Sequence, residues 1–219
     1  MTEATPKKKT TTRKPRAKKT TTTTTTTKTK ATPKKTPTRK TPSLDLPPNP
    51  LMFEILHLVS SQRTKAKKIE VLKKYENSAL KSLFIWNFDS RIKSALPPGE
   101  VPYSGYDEQN VYNGTLSDKI ESASREMFTN GSFSLGNVDT SSKTTIRAQA
   151  KNLYHFVEGG NNGLSQTRRE MMFINLLESV HPLEAEILVL VKDKILTDKY
   201  KITADIIVEA YPDVKPNLT

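Results

Sequence analysis

The first 43 residues contain no Val, Ile, Leu or aromatic side chain, so this part of the chain has nothing from which to build a hydrophobic core. Its charged residues are fourteen Lys or Arg and a single Glu, a net charge of +13. The whole chain has 35 Lys and Arg against 23 Asp and Glu, so residues 44–219 hold 21 cations and 22 acids. A segment that cannot bury apolar surface cannot offset the entropy lost on ordering. We therefore expect residues 1–43 to be a long, disordered basic tail.

The cations of the tail form two blocks on either side of the threonine run 20–27. A flexible polycation of this density binds a polyanion by neutralising its charges and releasing condensed counterions, which requires no fixed geometry. Nucleic acid is the expected partner. DNA is preferred over RNA because duplex phosphates are closely and regularly spaced, although the sequence leaves RNA open. The predicted nucleic-acid-binding residues of the tail are Lys7, Lys8, Lys9, Arg13, Lys14, Arg16, Lys18, Lys19, Lys28, Lys30, Lys34, Lys35, Arg39 and Lys40.

A short repeated pattern sharpens this expectation. Residues Thr5–Lys8 and Thr32–Lys35 both read T-P-K-K. They resemble the S/T-P-K-K repeats of linker-histone tails, which implies contact along the DNA backbone or the minor groove. A solubility tail and a nuclear-localisation signal are alternatives that composition does not remove. A membrane surface is disfavoured, because the tail has no Leu or aromatic anchor.

The remainder of the chain, about 175 residues, is long enough for one domain with a sizeable core. The sequence contains no cysteine, which excludes disulfides, thiolate metal sites and cysteine nucleophiles. Its longest purely apolar run is Ile187–Val191, far too short to span a bilayer. We expect a soluble protein with no membrane partner.

Apolar residues recur at helical spacing through most of this body, which predicts an all-α fold in a single compact multi-helix domain. The helical domain is predicted at residues 51–212, with flexible loops near 97–114 and 130–143 and a C-terminal end at 213–219. A proline-rich connector at 44–50 precedes it. The predicted helices run from Asn49-Pro50 through Val59, and over Arg63–Tyr75, Asn77–Asn87, Thr115–Phe128, Thr144–Val157, Arg168–Val180, Leu183–Leu196 and Ala204–Ala210.

Three local signals refine these helices. Asn49 followed by Pro50 is typical of an N-cap with proline at the first helical position. The helix after Gly163 is predicted to begin near Ser165 or Thr167, and Thr167 and Glu170 have the spacing of a capping box. Glu184 and Glu186 lie near the start of their helix, where acids complement the macrodipole. The helix Arg168–Val180 is strongly apolar and is expected at the centre of the core.

A second basic stretch follows the connector. Ser61–Ala95 contains nine cations and three acids, a net charge of +6. Lys67, Lys74 and Lys81 are seven residues apart, and they would align along one side of a continuous helix. We predict that these three lysines form a second phosphate-contacting surface beside the tail. A solvated helix face is the alternative explanation.

Long motifs in the body resemble one protein family. They are N-P-L-M-F-E-I-L at 49–56, K-K-I-E-V-L-K-K-Y at 67–75, L-P-P-G-E-V-P-Y at 96–103, F-V-E-G-G at 156–160 and F-I-N-L-L-E-S-V-H-P-L-E-A-E-I-L at 173–188. The resemblance is to small helical proteins of unknown function from large tailed phages related to the T-even group. It implies a host-takeover or genome-associated context and supplies no catalytic motif. The tail and the polar stretch near 130–143 depart from the family's shorter form.

No set of residues predicts catalysis. His57, His155 and His181 are isolated from one another, and no spacing typical of a metal site or a nucleophilic triad occurs. We therefore expect no enzymatic activity and no cofactor.

The predicted function is that of a non-sequence-specific, histone-like phage DNA-binding protein, associated with the phage genome or the host nucleoid in the host cytoplasm. Two alternatives remain open. One is a host-takeover adaptor whose helical domain binds a host protein, for example in the transcription machinery. The other is a virion protein packaged with the genome in the virion interior. The sequence leaves the oligomeric state undecided.

Overall fold

The computed structural model describes residues 45–102, 114–129, 135–136 and 142–217, and every regular element in these ranges is a helix. The α-helices are α1 Met52–Ser61, α2 Lys65–Lys74, α3 Ser78–Phe88, α4 Leu116–Thr129, α5 Ile146–Gln149, α6 Gln166–Ser179, α7 Pro182–Lys192, α8 Leu196–Tyr200 and α9 Ala204–Ala210. A 3-10 helix at Ala150–Phe156 continues α5. The predicted all-α fold is confirmed. The predicted tail and most of both predicted flexible loops lie outside the described residues.

Helix α7 is the centre of the core. It packs against α1, α3, α4, α6 and α8. Leu183, Ile187, Leu188 and Val191 are each no more than 1% exposed. We expected the centre to be the preceding helix, but α6 keeps much of its surface in solvent and Met171 is 51% exposed. The continuous apolar run of α7 fits burial on several faces, whereas α6 has one buried face.

Helix α1 begins later than predicted, and α6 begins at the first of its two predicted positions. Helix α1 starts at Met52 rather than at Pro50, and its N-cap is Leu51. The Oε2 atom of Glu54 accepts the Leu51 N–H at 2.9 Å, so an acid in the first turn supplies the cap. Helix α6 is capped by Ser165, whose hydroxyl accepts the Arg168 N–H, and Thr167 lies in the first turn instead of capping it.

Two predicted helices are interrupted. The predicted helix at 144–157 has a single α-helical turn, α5, and then tightens into the 3-10 helix. Leu153 and Phe156, both buried, are three residues apart, which a 3-10 helix places on one side. The predicted helix at 183–196 ends at Lys192. Lys194 takes a left-handed conformation with φ 59° before α8 begins, so the chain turns there.

Two buried carboxylates join separate parts of the fold. Glu184 in α7 is 0% exposed and Glu54 in α1 is 2% exposed. The Oε1 atom of Glu184 accepts the Met52 N–H at 2.9 Å and its Oε2 atom accepts the Ile146 N–H at 2.8 Å. Glu54 accepts the Gly136 N–H at 2.8 Å through Oε1. Glu184 therefore complements the first turns of α1 and α5, in addition to its predicted place near the start of its own helix.

Several effects act on the carboxyl of Glu184, and together they place its pKa above the ordinary value. Burial raises the pKa of its carboxyl, and the negative charge of Glu54 acts in the same direction. The two backbone N–H donors and the cation of Arg147 lower it. Arg147 is itself fixed in place, because its Nη2 atom donates to the Pro50 carbonyl oxygen at 3.1 Å. The carboxylate is thus stabilised by donors from two segments distant in sequence.

Replacing Glu184 by glutamine should destabilise the fold by about 2–4 kcal/mol, because an amide nitrogen would face one backbone N–H and leave it without an acceptor. Urea unfolding of Glu184→Gln measures this loss. The control Glu178→Gln makes the same change on the exposed side of α6 and should stay within about 0.5 kcal/mol of the wild type. Equal stability of the two variants would contradict the role given to Glu184.

Candidate nucleic-acid interface

Helix α2 is the most basic element among the described residues. The Thr64 hydroxyl caps it by accepting the Lys67 N–H at 3.4 Å. Ile69 and Leu72 form its buried side and pack toward α1 and α9. The Leu72 carbonyl oxygen accepts the hydroxyl hydrogen of buried Tyr211 at 2.7 Å. The remaining sides of α2 carry its five lysines.

Lys67, Lys74 and Lys81 do not lie along one continuous helix as their spacing suggested. Helix α2 ends at Lys74, and Asn77 starts a new helix by accepting the Leu80 N–H at 2.8 Å through its side-chain oxygen. Lys81 therefore belongs to α3. The cap at Asn77 explains the interruption, since an asparagine in extended conformation satisfies the first turn of a helix better than it continues one.

Two of these three lysines are paired with acids of the same domain. Lys81 contacts Glu76 at 2.5 Å and Asp213 at 2.7 Å, and its side chain is only 20% exposed. Lys74 pairs with Asp45. Hydrogen bonds to these carboxylates raise the pKa of both lysines. Both remain cationic, and each has its charge partly balanced before any ligand binds.

Neighbouring lysines of α2 are also engaged. Lys65 contacts Asp205 at 3.2 Å and Glu209 at 3.0 Å, both on α9. The Nζ atom of Lys68 donates to the Lys201 carbonyl oxygen at 2.7 Å. These contacts fix α2 against α9 and the turn before it. They also explain why α9 carries acids and no cations.

Arg91 is occupied by an acid at the end of α3. Its Nε atom donates to Asp89 Oδ1 at 3.0 Å and its Nη2 atom to Oδ2 at 2.7 Å. The Arg91 backbone N–H also donates to Oδ1 at 2.9 Å. These bonds, led by those from the guanidinium, lower the pKa of Asp89 to about 2. Asp89 is buried, so the pair joins α3 to the loop that follows it.

Among the described residues, only four of the nine cations in Ser61–Ala95 remain unpaired. Within the ranges that the structure describes, no hydrogen bond or ion pair involves the side chains of Arg63, Lys67, Lys73 or Lys93, and all four are exposed. Three of them lie on α2 or directly before its cap. Sequence reasoning named Lys67 and missed Arg63 and Lys73. The apolar residues Ile69, Val71 and Leu72 were the available signal, because together they mark the core side of α2 and leave residues 67, 70 and 73 on the opposite side.

The described chain begins next to α2. Asp45 pairs with Lys74, and the Leu46 N–H donates to the Tyr75 hydroxyl at 3.0 Å. Leu46 itself is 7% exposed. The segment predicted as a connector is therefore packed on the folded domain at the carboxyl end of α2. The predicted binding residues from Lys7 to Lys40 precede this point and lie outside the described residues.

The three histidines lie in unrelated places. His57 stacks on Phe128 at 5.4 Å between ring centroids, and burial together with Lys199 lowers its pKa. His155 contacts the Asn161 side chain at 3.0 Å. His181 accepts the Leu183 N–H at 3.2 Å and caps α7. Across the described ranges no three His, Asp or Glu side chains are grouped to hold a metal ion.

A mostly apolar cavity of about 180 Å³ lies beside α6. Its lining residues are Leu96, Pro97, Glu100, Val101, Pro102, Glu170, Phe173, Ile174 and Lys192. Lys192 is buried, and its Nζ atom donates to the Pro97 and Gly99 carbonyl oxygens, each at 2.9 Å, and to Asp193 Oδ1 at 2.6 Å. All three of its hydrogens are thus used within the chain. Lys192 holds the proline-rich loop against α7 instead of offering a charge to a ligand.

Comparison with known proteins identifies a family. The sequence model of a family of unknown function, DUF6433, matches residues 55–138 and 135–198. The curated proteins contain no match to the chain, and neither do the solved structures. Among the helices described above, none combines the length and apolar character needed to cross a membrane.

The pairing of Asp89 with Arg91 predicts a dependence of stability on pH. The pKa of Asp89 is lowered to about 2 in the folded chain, from an ordinary value near 4. The stabilisation is therefore present above about pH 4 and is lost as the pH falls toward 2, because the unfolded chain takes up the proton first. Urea unfolding at pH 6, 4, 3 and 2 should show a smaller acid-dependent loss for Asp89→Asn than for the wild type. Asp198→Asn, an exposed control, should follow the wild type; an Asp89→Asn profile parallel to both would contradict the assignment.

Proposed function

We propose that the chain, which belongs to the family of unknown function DUF6433, is a non-sequence-specific DNA-binding protein that contacts the phosphate backbone through its basic tail. The observation that carries the proposal is the division of charge along the sequence. Fourteen cations and one acid lie in residues 1–43, whereas the other 176 residues hold 21 cations and 22 acids. Such a division gives the chain a polycationic arm on a nearly neutral domain.

The tail suits binding to phosphates without sequence choice. Each cation that neutralises a phosphate releases condensed counterions, and this gain is independent of base sequence. The tail has no aromatic side chain to stack on bases, and stacking is a main source of affinity for single strands. Its two T-P-K-K segments resemble the S/T-P-K-K repeats of linker-histone tails, which implies contact along the DNA backbone or the minor groove. These properties support duplex DNA as the partner.

The folded domain supports the proposal by contributing little competing charge. Lys65, Lys74, Lys81 and Arg91 are each paired with an acid of the domain. A domain that neutralises its own cations leaves the tail as the main source of attraction for a polyanion. We assign the domain the role of a folded anchor for the tail. From the motif resemblance we place the protein with a phage genome or the host nucleoid, in the cytoplasm of the infected cell.

The test is a mobility-shift titration of the full-length chain on two 30-base-pair duplexes of unrelated sequence, at salt concentrations from 50 to 200 mM. If half of the fourteen cations are engaged, the slope of log affinity against log salt is about −6, and affinity falls by about four thousandfold over this range. The two duplexes should bind within about threefold of each other, as expected for backbone contacts.

Two full-length variants identify the contribution of the tail. Replacing its fourteen Lys and Arg by Gln should remove most of the salt dependence and weaken binding by more than about a hundredfold. A control replaces fourteen of the eighteen tail Thr by Gln, which changes the same number of positions and keeps the charge. The control should bind as the wild type does. Equal binding by the charge-neutral variant, or tighter binding to an RNA duplex than to DNA, would overturn the proposal.

A further inference from the structure

We infer that the solvent-facing side of α2 is a second phosphate-contacting surface, formed by Arg63, Lys67 and Lys73, that receives the same duplex as the tail. The inference rests on the proposed function and specifies which folded residues touch DNA. It differs from the spacing-based prediction, because Lys74 and Lys81 are paired with Asp45 and with Glu76 and Asp213.

The cations of this surface are available to bind phosphate. Breaking an ion pair to contact a phosphate exchanges one anion for another, so a paired lysine gains less than an unpaired one. In the described ranges, the side chains of Arg63, Lys67 and Lys73 make no ion pair or hydrogen bond and are exposed to solvent. Three unpaired cations thus lie within eleven residues of the sequence, which concentrates positive charge at α2.

Helix α2 sets the spacing between these cations. Arg63 directly precedes the N-cap Thr64, and Lys67 lies four residues after Arg63. Lys73 follows Lys67 by six residues, about 9 Å along the axis at a rise of about 1.5 Å per residue. Duplex DNA presents one negative charge per about 1.7 Å of its axis, so a row of this length faces several phosphates.

Helix α2 is held in place by its contacts with the rest of the domain. Ile69 and Leu72 are buried, and Lys65 and Lys68 tie the helix to α9 and to the Lys201 carbonyl oxygen. A cation on a fixed backbone loses less conformational freedom on binding than one on a flexible chain. The paired lysines thus hold the helix, and the unpaired ones are left for a ligand.

The first described residues of the chain lie at the carboxyl end of α2. Asp45 and Leu46 are held by Lys74 and Tyr75 at the carboxyl end of α2. Arg39 and Lys40 precede Asp45 by only six and five residues in the sequence. A duplex bound by these two cations is therefore joined to the domain through a short segment of the chain. The acid at the junction does not oppose this, because Lys74 neutralises Asp45.

The experiment uses the same titration with the tail intact. The variant Arg63→Gln/Lys67→Gln/Lys73→Gln should lower the magnitude of the salt slope by about two to three and weaken binding by more than about tenfold near 0.1 M salt. The matched control Lys143→Gln/Lys151→Gln/Arg168→Gln removes three exposed cations from other parts of the domain. It should change the slope by less than one. Circular dichroism should show equal helix content in both.

Removing a negative charge from the same side of α2 is a second test of the surface, and it should strengthen binding. Glu70 is exposed on the same side of α2, between Lys67 and Lys73, and its charge should repel phosphate. Glu70→Gln should therefore strengthen DNA binding by about threefold, whereas Glu178→Gln on α6 should leave it unchanged. This change removes an exposed charge and does not touch the core.

The outcomes separate the two proposals. If the wild type binds through its tail but the α2 variant matches the control, or Glu70→Gln gains nothing, the α2 surface is wrong and the proposed function stands. If the wild type binds DNA no better than the tail-neutral variant does, the proposed function itself fails. A steeper loss for the α2 variant than for the control, together with a gain for Glu70→Gln, supports the inference.

Discussion

The carboxylate of Glu184 is the constraint on which the arrangement of the helices depends. It is fully buried in the central helix α7, and its two oxygens accept the first backbone N–H groups of α1 and α5. A buried charge is tolerable only when donors surround it, so the positions of both helix starts are fixed relative to α7. Glu54 adds a second such link to Gly136. The hydrophobic core alone, which is non-directional, would not specify these positions.

Charged side chains on the surface are also paired with groups of opposite charge, although these pairs are weaker. Lys65, Lys81 and Arg91 each meet an acid that the fold brings to them, and exposed pairs of this kind add little to stability. Their larger effect is on the charge that the domain shows to a partner. Pairing cancels most of the excess of cations counted in Ser61–Ala95, and what remains is concentrated on one side of α2. The domain is therefore neither uniformly basic nor uniformly neutral.

Features that depend on neighbouring residues could be predicted from the sequence, whereas contacts between distant residues could not. Helices α2, α3 and α9 were predicted within two residues at each end, because apolar spacing and nearby caps such as Asn77 are local signals. The function of Glu184 depends on Met52, 132 residues away, and the pairing of Lys81 depends on Asp213, equally distant. Neither partner is visible in a local pattern. The sequence therefore showed that Ser61–Ala95 is basic, whereas which of its cations are paired required the tertiary structure.

Tail and α2 would contribute different things to a complex. A long polycation supplies affinity, but it imposes no orientation on the domain attached to it, because neutralising phosphates requires no fixed geometry. Orientation requires cations whose positions are set by a backbone that does not move. Lys67 and Lys73 meet this requirement, because both lie in a helix packed on the core and next to the start of the described chain. A three-charge surface is weak by itself, yet beside a tethered tail it acts at a high effective concentration. A modest patch next to the attachment point can thus decide how the folded domain lies on the duplex.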